Sequence, residues 1–505
     1  MITIDTGFNQ RGLQELTLFP FDDLSLPFVH NLKLTLQQVR KYPGNPVLRY
    51  GDPGEPDQGG ATFYGTVLRE GDLFRMWYLA ISPRGHFSKD CFFPAWHGYA
   101  ESPDGIHWEK PKLGLVEFEG SKENNLVWPR KPVRLYYQGK GTGEMYDKDK
   151  YHPSLDYPGI IFDPEDPDPD RRYKMVYVDH DHDSHFEPNG SPANGFFCAT
   201  SSDGFDWREV PGNPQIPTKY EVSSLYKFNG CYHAIGQQFS PWIYNRDGSV
   251  NSHRTSMVYR SADFETWEQG GVIGFDRSRE GSTEDTHMGP AMFNKGNVLV
   301  GLYGQFHTAS EILDYRGDLG LIVSNNGLHF REPVPGFKVV PQEDEDREWD
   351  PTGRGRQAIV QGNGILNVGN ETWIWYGTWG DFGQCGLAML EKERFGCLEL
   401  ARDEPEGYVW SSPIAAEGKA ARLFLNVDGI SEACPLKIEL NDAAGRPLPG
   451  YAGDHCVPIT ESGFRIPVRW ASCEEIQVSE PFTIRAHMHR KNDDKPKLFA
   501  MYVSG

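Results

Sequence analysis

A seven-residue device returns along this chain, each time after an apolar strand and each time closed by an aromatic. It reads Ser-Pro-Asp-Gly-Ile-His-Trp to Trp108, Ser-Ser-Asp-Gly-Phe-Asp-Trp to Trp207, Ser-Ala-Asp-Phe-Glu-Thr-Trp to Trp267 and Ser-Asn-Asn-Gly-Leu-His-Phe to Phe330. Asp-Gly and Asn-Gly supply the positive φ of a tight hairpin, and the aromatic packs back on the sheet. The strands before the turns lie at 98–101, 197–200, 257–260 and 321–324, and a fifth at 386–389 has no turn. Each is preceded by another apolar strand: Leu73 to Ala80, Arg172 to Val178, Gly230 to Gly236, Asn297 to Phe306 and Glu371 to Trp379. Strand, strand and polar turn at a fixed period is how propeller blades show in sequence, and five pairs predict an all-β chain built on a five-bladed β-propeller. The spacings between successive aromatics are 99, 60 and 63 residues. The first interval therefore carries extra loop, shared between 120–155 and 179–196, where a rigid scaffold would hold binding groups.

After about residue 408 the repeat stops. Segments starting at Ala421, Leu436, Phe464 and Phe482 alternate apolar and polar residues, the pattern of a small β-sandwich. The expected division is a catalytic propeller over 1–407 and a C-terminal sandwich over 408–505, joined by the turn-prone Asp403-Glu-Pro-Glu-Gly.

Composition narrows the partners. With 50 basic against 71 acidic side chains the formal charge is -21, which repels a phosphate backbone and an anionic membrane surface, so neither nucleic acid nor membrane is expected. The N-terminal residues lack a basic and an apolar region, and no stretch nears the roughly 20 apolar residues that span a bilayer. The expectation is a cytoplasmic protein, or a secreted or periplasmic one if a signal has been trimmed. Eight cysteines without a Cys-x-x-Cys pair are expected as free thiols. Oligomeric state is not set by these features.

Blade three opens with Glu221-Val-Ser-Ser-Leu-Tyr-Lys-Phe-Asn-Gly-Cys-Tyr. This resembles the Glu-x-Pro-x-Leu-Phe-Lys-x-x-Gly-x-Tyr segment of the arabinanase, β-xylosidase and β-fructofuranosidase propellers, without its Pro. Blade four, His287-Met-Gly-Pro-Ala-Met-Phe, is similar to the His-Gly blade start of the same superfamily. The resemblance covers the whole chain as architecture, and the C-terminal sandwich fits the accessory domain that often follows such propellers. It implies a glycoside hydrolase working in the central funnel on an oligosaccharide or glycoside, with no cofactor required. Such enzymes need one protonated carboxyl to release the leaving oxygen and an ionised one to attack or to activate water. Carried over, Glu221 is the general acid and Asp156 of blade two orients the others or sets their pKa values. Blade one departs: Tyr64 stands where its carboxylate belongs, which leaves Asp57 as the base or nucleophile, with Asp52 and Glu55 as rivals. Glu284, Asp285, His287 and Tyr64 are expected on the substrate-binding rim, the histidine being either substrate-facing or structural. Asp163, Asp166, Asp168 and Asp170 read as turn caps facing water.

Three further groups remain open. Asp179-His-Asp-His-Asp-Ser-His185 offers His180 and His182 to a structural Ca²⁺ or Zn²⁺, or forms a polar loop on the funnel rim. Arg356 binds a substrate group through its fork of donors or salt-bridges at the surface. Trp96, His97 and Trp379 are sugar platforms or packing between blades. There is no Gly-x-Ser-x-Gly, P-loop or His-Glu-x-x-His. Two alternatives stand beside the hydrolase: a phosphorylase of the mannoside-phosphorylase type, with Arg354, Arg356 and His287 around phosphate, and a non-catalytic carbohydrate-binding propeller, which the missing blade-one Asp would suit.

Overall fold

The computed structural model describes residues 1–8, 10–81, 95–130, 155–179, 195–216, 220–239, 254–277, 284–307, 316–343, 357–379, 382–402, 404–416, 420–491 and 494–505. Among them the regular structure is strand throughout apart from short 3₁₀ turns, and no helix is long and apolar enough to cross a membrane.

Among the described residues five four-stranded antiparallel blades form. Blade one is Gly60–Glu70, Leu73–Ile81, Ala95–Ser102 and Leu126–Trp128. Blade two is Leu155–Phe162, Tyr173–Asp179, Gly195–Ser201 and Arg208–Glu209. Blade three is Glu221–Phe228, Cys231–Phe239, Arg254–Ser261 and Val272–Phe275. Blade four is Glu284–Asn294, Leu299–His307, Arg316–Ser324 and Lys338–Val340. Blade five takes Gln357–Val368, Glu371–Thr378 and Cys385–Glu391, and its outer strand is Arg40–Lys41 from the other end of the chain. The first strand of each blade packs against the first strands of its neighbours in the order one, two, three, four, five and back to one. The ring is the expected propeller.

The repeated turn is the joint between blades. In blade one, Ser102 Oγ accepts from Gly105 N at 2.8 Å, while Asp104 Oδ1 accepts from Ile106 N and His107 N at 2.9 and 2.8 Å. Ser201 with Asp203, Ser261 with Asp263 and Ser324 with Asn326 repeat the scheme. The carbonyl thus presented accepts from the preceding blade: Trp375 Nε1 to Gly105 O at 3.1 Å, Trp77 Nε1 to Gly204 O at 3.1 Å and Tyr226 Oη to Gly327 O at 2.6 Å. Glycine is required at Gly204 twice over. Its φ is +80°, and a Cβ would stand 2.8 Å from Trp77 Cζ2.

Blade five has no such turn. Glu393, with φ +60°, takes the place, and its buried carboxylate receives Lys295 Nζ of blade four at 2.8 Å, Asn367 Nδ2 at 2.6 Å and Tyr502 Oη at 2.8 Å. Tyr502 belongs to the sandwich, so one carboxylate ties two blades to the second unit.

The sandwich is assembled from both ends of the chain. One sheet runs Ile2–Ile4, Ile414–Ala416, Phe482–His489, Glu406–Trp410, Phe28–His30, with Leu436–Asp442 also pairing Phe482–His489. The other runs Gly463–Pro467, Arg422–Asp428, Lys497–Ser504, Gly396–Leu400, Leu32–Leu36, with Glu15–Leu18 pairing Lys497–Ser504. The sheets therefore do not divide at 407/408 as expected. Residues 2–36 and 396–400 lie on the sandwich side, because their apolar faces (Ile2, Leu16, Leu18, Leu398) close over Leu425, Ile484 and Met501 in one core. Four short N-terminal strands carry no repeat, and only their distant partners give them a place. The seven described cysteines are free thiols.

Candidate functional site

Every inner strand breaks register once: between Thr62 and Thr66, Asp156 and Gly159, Val222 and Ser224, His287 and Ala291, and Gln361 and Ile365. A bulge re-aims the backbone, and here five bulges meet at the ring axis. Thr66 Oγ1 donates to Pro158 O and accepts from Ile160 N, both at 2.9 Å, joining blades one and two. Tyr157 Oη donates to Gln361 O at 2.5 Å, and Gln361 Nε2 donates to His287 O at 2.9 Å and Gly289 O at 2.8 Å. Gly289 N donates to Ser223 Oγ, and Ser224 Oγ donates to Asn363 Oδ1 at 2.7 Å. These bonds cross the axis and divide it into two unlike ends.

Below these bonds, where the inner strands finish, lies a cavity of about 270 Å³ with a mainly apolar wall that includes Leu68, Ile161, Leu225, Met292 and Ile365. Asp163 and Lys227 stand at its edge, 3.0 Å apart. Above it, where the inner strands begin, the groups are aromatic and ionisable. The His287 ring lies flat on Phe306, centroids 3.9 Å apart, with the ring of Trp379 at 5.2 Å and the Tyr64 hydroxyl 3.3 Å from both imidazole nitrogens. Tyr64 in turn packs on Tyr157 at 4.6 Å. Blades one, two, four and five thus share one aromatic wall. Blade three contributes Glu221, half-buried at the first position of its inner strand, with Gln237 Nε2 donating to its Oε2. Asp285 is buried on blade four. Its Oδ1 accepts from Arg254 N and Thr286 N at 2.9 Å, and Arg254 Nη1 lies 4.0 Å from Oδ2.

The structure thus brings Glu221, Tyr64, His287, Asp285 and Trp379 to the same end of the ring. Asp156 occupies the register position of blade two that His287 holds in blade four, the last paired residue before the bulge. Its side chain and that of Glu284 are not among those described; Arg356, Arg354, His180 and His182 lie outside the described residues altogether. The calcium or zinc expected at His180 and His182 lies there too. Among the described residues no group of three His, Cys, Asp or Glu is placed to hold a metal ion.

Three expectations are corrected. Asp57 is fully buried away from the axis: Lys110 Nζ and Tyr78 Oη both reach its Oδ2 at 2.6 Å, and Tyr78 belongs to the packing of blade one against Trp373 and Trp375 of blade five. A carboxylate so held anchors a loop and has no face for substrate. Trp96 is buried edge-on against Phe118 at 5.4 Å, and His97 is buried edge-on against Tyr177 at 6.0 Å, so both are blade packing. Asp163 and Asp166 are not water-facing caps either. Asp163 binds Lys227 and, at 2.5 Å, the Tyr232 hydroxyl of blade three, and Asp166 binds the fully buried Lys174 at 2.5 Å. Asp168 does cap a turn, accepting from Asp170 N at 3.0 Å.

Sequence reasoning missed Phe306, Gln237 and Arg254. Gln237 was within reach: counting back across the Asn229-Gly230 hairpin pairs Glu221 with Gln238, and the bulge moves the partner to Gln237.

No protein-family model matches the chain, and no curated protein matches it. Among solved structures the chain is similar to a glycosyl hydrolase from Bacteroides ovatus, at 15% identity over 71% of this chain and 95% of that one, with a TM-score of 0.45. It is similar to a β-1,2-mannobiose phosphorylase from Listeria innocua, at 11% identity over 70% and 96%, with a TM-score of 0.43. A third comes from work on a mannoside phosphorylase family containing glycoside hydrolases that target β-1,2-mannosidic linkages in Candida mannan, at 15% identity over 71% and 95%, with a TM-score of 0.45.

Proposed function

We propose that the chain is an enzyme that cleaves glycosidic bonds at the end of the ring where the inner strands begin, with Glu221 as the proton donor to the leaving oxygen. One observation carries the reading. Glu221 is a half-buried carboxyl at the first position of an inner strand, held by the Gln237 amide, at the end of the ring that also carries the aromatic wall of His287, Phe306 and Trp379. Aromatic faces hold the apolar face of a sugar, and a fixed carboxyl beside them can protonate the bridging oxygen. Asp156, on the neighbouring inner strand, supplies the second carboxylate. Asp285, held by the backbone N–H groups of Arg254 and Thr286 and 4.0 Å from the Arg254 guanidinium, lies on the same rim.

The test is release of sugar from a panel of furanosides, pyranosides and mannosides, with and without inorganic phosphate, by wild type and Glu221→Gln. The mutant is expected to lose about 10² to 10⁴-fold in kcat on unactivated glycosides. Dependence on phosphate marks a phosphorylase and independence a hydrolase. Unchanged turnover in Glu221→Gln overturns the acid assignment, and binding without turnover in wild type gives the non-catalytic reading.

A further inference from the structure

Far from the propeller axis, the sandwich sheet that contains Phe482–His489 has an outer face of unusual make-up. Pairing sets His30 opposite Tyr408 and Tyr408 opposite His487, and in the next row Phe28 opposite Trp410 and Trp410 opposite Arg485. Alternate residues Val409, Ile484, Ala486 and Met488 point the other way into the core, so the named side chains share the outward face. His30 stacks on Tyr408 at 4.8 Å, and Phe28 does so at 6.1 Å while remaining 52% exposed. The Arg485 guanidinium lies 4.0 Å from the Tyr408 ring centroid and 5.2 Å from that of Trp410.

What sets this face apart is unused hydrogen-bonding capacity. Among the described residues Arg485 makes no side-chain hydrogen bond. Its nearest carboxylate, Glu439, is 3.9 Å away and is taken by His487 Nε2 at 2.8 Å and Gly453 N at 3.2 Å. Arg485 Nε is buried without a partner, and so are Thr483 Oγ1, two residues along the same strand face, and Asn441 Nδ2, paired opposite Thr483. These three atoms are enclosed, so what the face offers a ligand is the outer edge of the Arg485 guanidinium, whose side chain is 27% exposed. A guanidinium held flat on an aromatic ring has its fork pre-aimed, which matches the two oxygens of a carboxylate. In a chain of net charge -21, Arg485 and Lys437 are the cationic groups on this face, with the Glu439 carboxylate beside them.

We propose that this face is a second binding site, separate from the ring, for a carboxylate-bearing saccharide: Arg485 takes the carboxylate, and the exposed ring of Phe28 meets the sugar. The saccharide half rests on the glycoside reading above, whereas the carboxylate half rests on Arg485 alone.

The intact chain is titrated by calorimetry with galacturonate and glucuronate trisaccharides, with a neutral galactose trisaccharide, and with acetate. At least one uronate trisaccharide is expected to bind with Kd below about 1 mM, at least about tenfold more tightly than the neutral sugar or acetate. Arg485→Ala and Arg485→Lys are each expected to weaken it at least about tenfold, the lysine because it has charge without the fork. Phe28→Ala, at a position 52% exposed, is expected to weaken it severalfold, and keeps the test decisive if Arg485→Ala fails to fold. Glu221→Gln should bind as wild type does, which separates this site from the fate of the proposed catalysis. Equal binding of neutral and acidic sugars, acetate binding as tightly, unchanged affinity in both Arg485 variants, or loss of binding in Glu221→Gln overturns the proposal.

Discussion

Replacing Asp163 by alanine tests whether blades two and three are latched by charge. The side chain is buried and accepts from the Tyr232 hydroxyl at 2.5 Å and from Lys227 Nζ at 3.0 Å to each oxygen. Truncation orphans the hydroxyl, worth about 1.5 kcal/mol, and removes a charge-assisted contact worth about as much. The second figure stays modest because Lys227 is 24% exposed and keeps Glu165 at 3.0 Å. The expected cost is therefore about 3 kcal/mol, against about 1 kcal/mol for Tyr232→Phe. The double variant should cost only about 2 kcal/mol, because no hydroxyl is left to orphan. At about 2.1 cal/mol/K per residue, unfolding all 505 residues carries roughly 1 kcal/mol/K, so the three Tm shifts by calorimetry should be about 3, 1 and 2 °C. An Asp163→Ala shift under about 0.5 °C, or a double variant that simply adds the singles, refutes the latch. The pH sign agrees. Burial opposes ionisation of Asp163, but the Tyr232 hydroxyl and the Lys227 ammonium outweigh it and hold the carboxyl below its usual range. Its contribution is therefore present above about pH 4 and is lost as pH falls through the lower folded value.

Gly204→Ala should cost about 3 kcal/mol, since it combines a φ of +80° with a Cβ 2.8 Å from Trp77, whereas Gly212→Ala, with φ +85° and open space, should cost about 1 kcal/mol. Equal Tm shifts for the two would remove the close approach from the account of the joint. His233, stacked on Tyr226 at 5.1 Å, is pushed down by burial to about 4. The unfolded imidazole binds its proton near pH 6.5, so stability should decline as pH drops from about 6.5 towards 4, with a slope of up to about 1.4 kcal/mol per pH unit. Urea titrations of His233→Gln over that range should show a flatter profile, and a slope identical to wild type would remove His233 as the cause.

Legibility in the sequence followed the locality of the cause. The hairpin turns ending at Trp108, Trp207, Trp267 and Phe330 are set by Ser, Asp and Gly within a few residues of one another, so their repeat disclosed the blades. Glu221 and His287 were legible only through the resemblance of their strand segments to those of the propeller superfamily. Asp57 was misplaced because proximity in sequence to Tyr64 says nothing about Lys110, whose ammonium draws the carboxylate off the axis. Asp163 looked like any aspartate in a Pro-rich turn until blade three brought Lys227 and Tyr232 against it.

By itself, then, the sequence determined the modules: strand pairs, their polar turns, and the alternation of the sandwich strands, all of which rest on dihedral preference and burial over short spans. Tertiary structure alone decided how the modules close. Arg40–Lys41 completes blade five, residues 2–36 enter the sandwich, Glu393 rather than a glycine turn ties blade five to blade four and to the sandwich, and the bulge of blade three sets Glu221 opposite Gln237. Each of these depends on partners separated by many residues in the chain. Nothing local distinguishes such a strand or carboxylate from its alternatives until an apolar face or an opposite charge is brought to it.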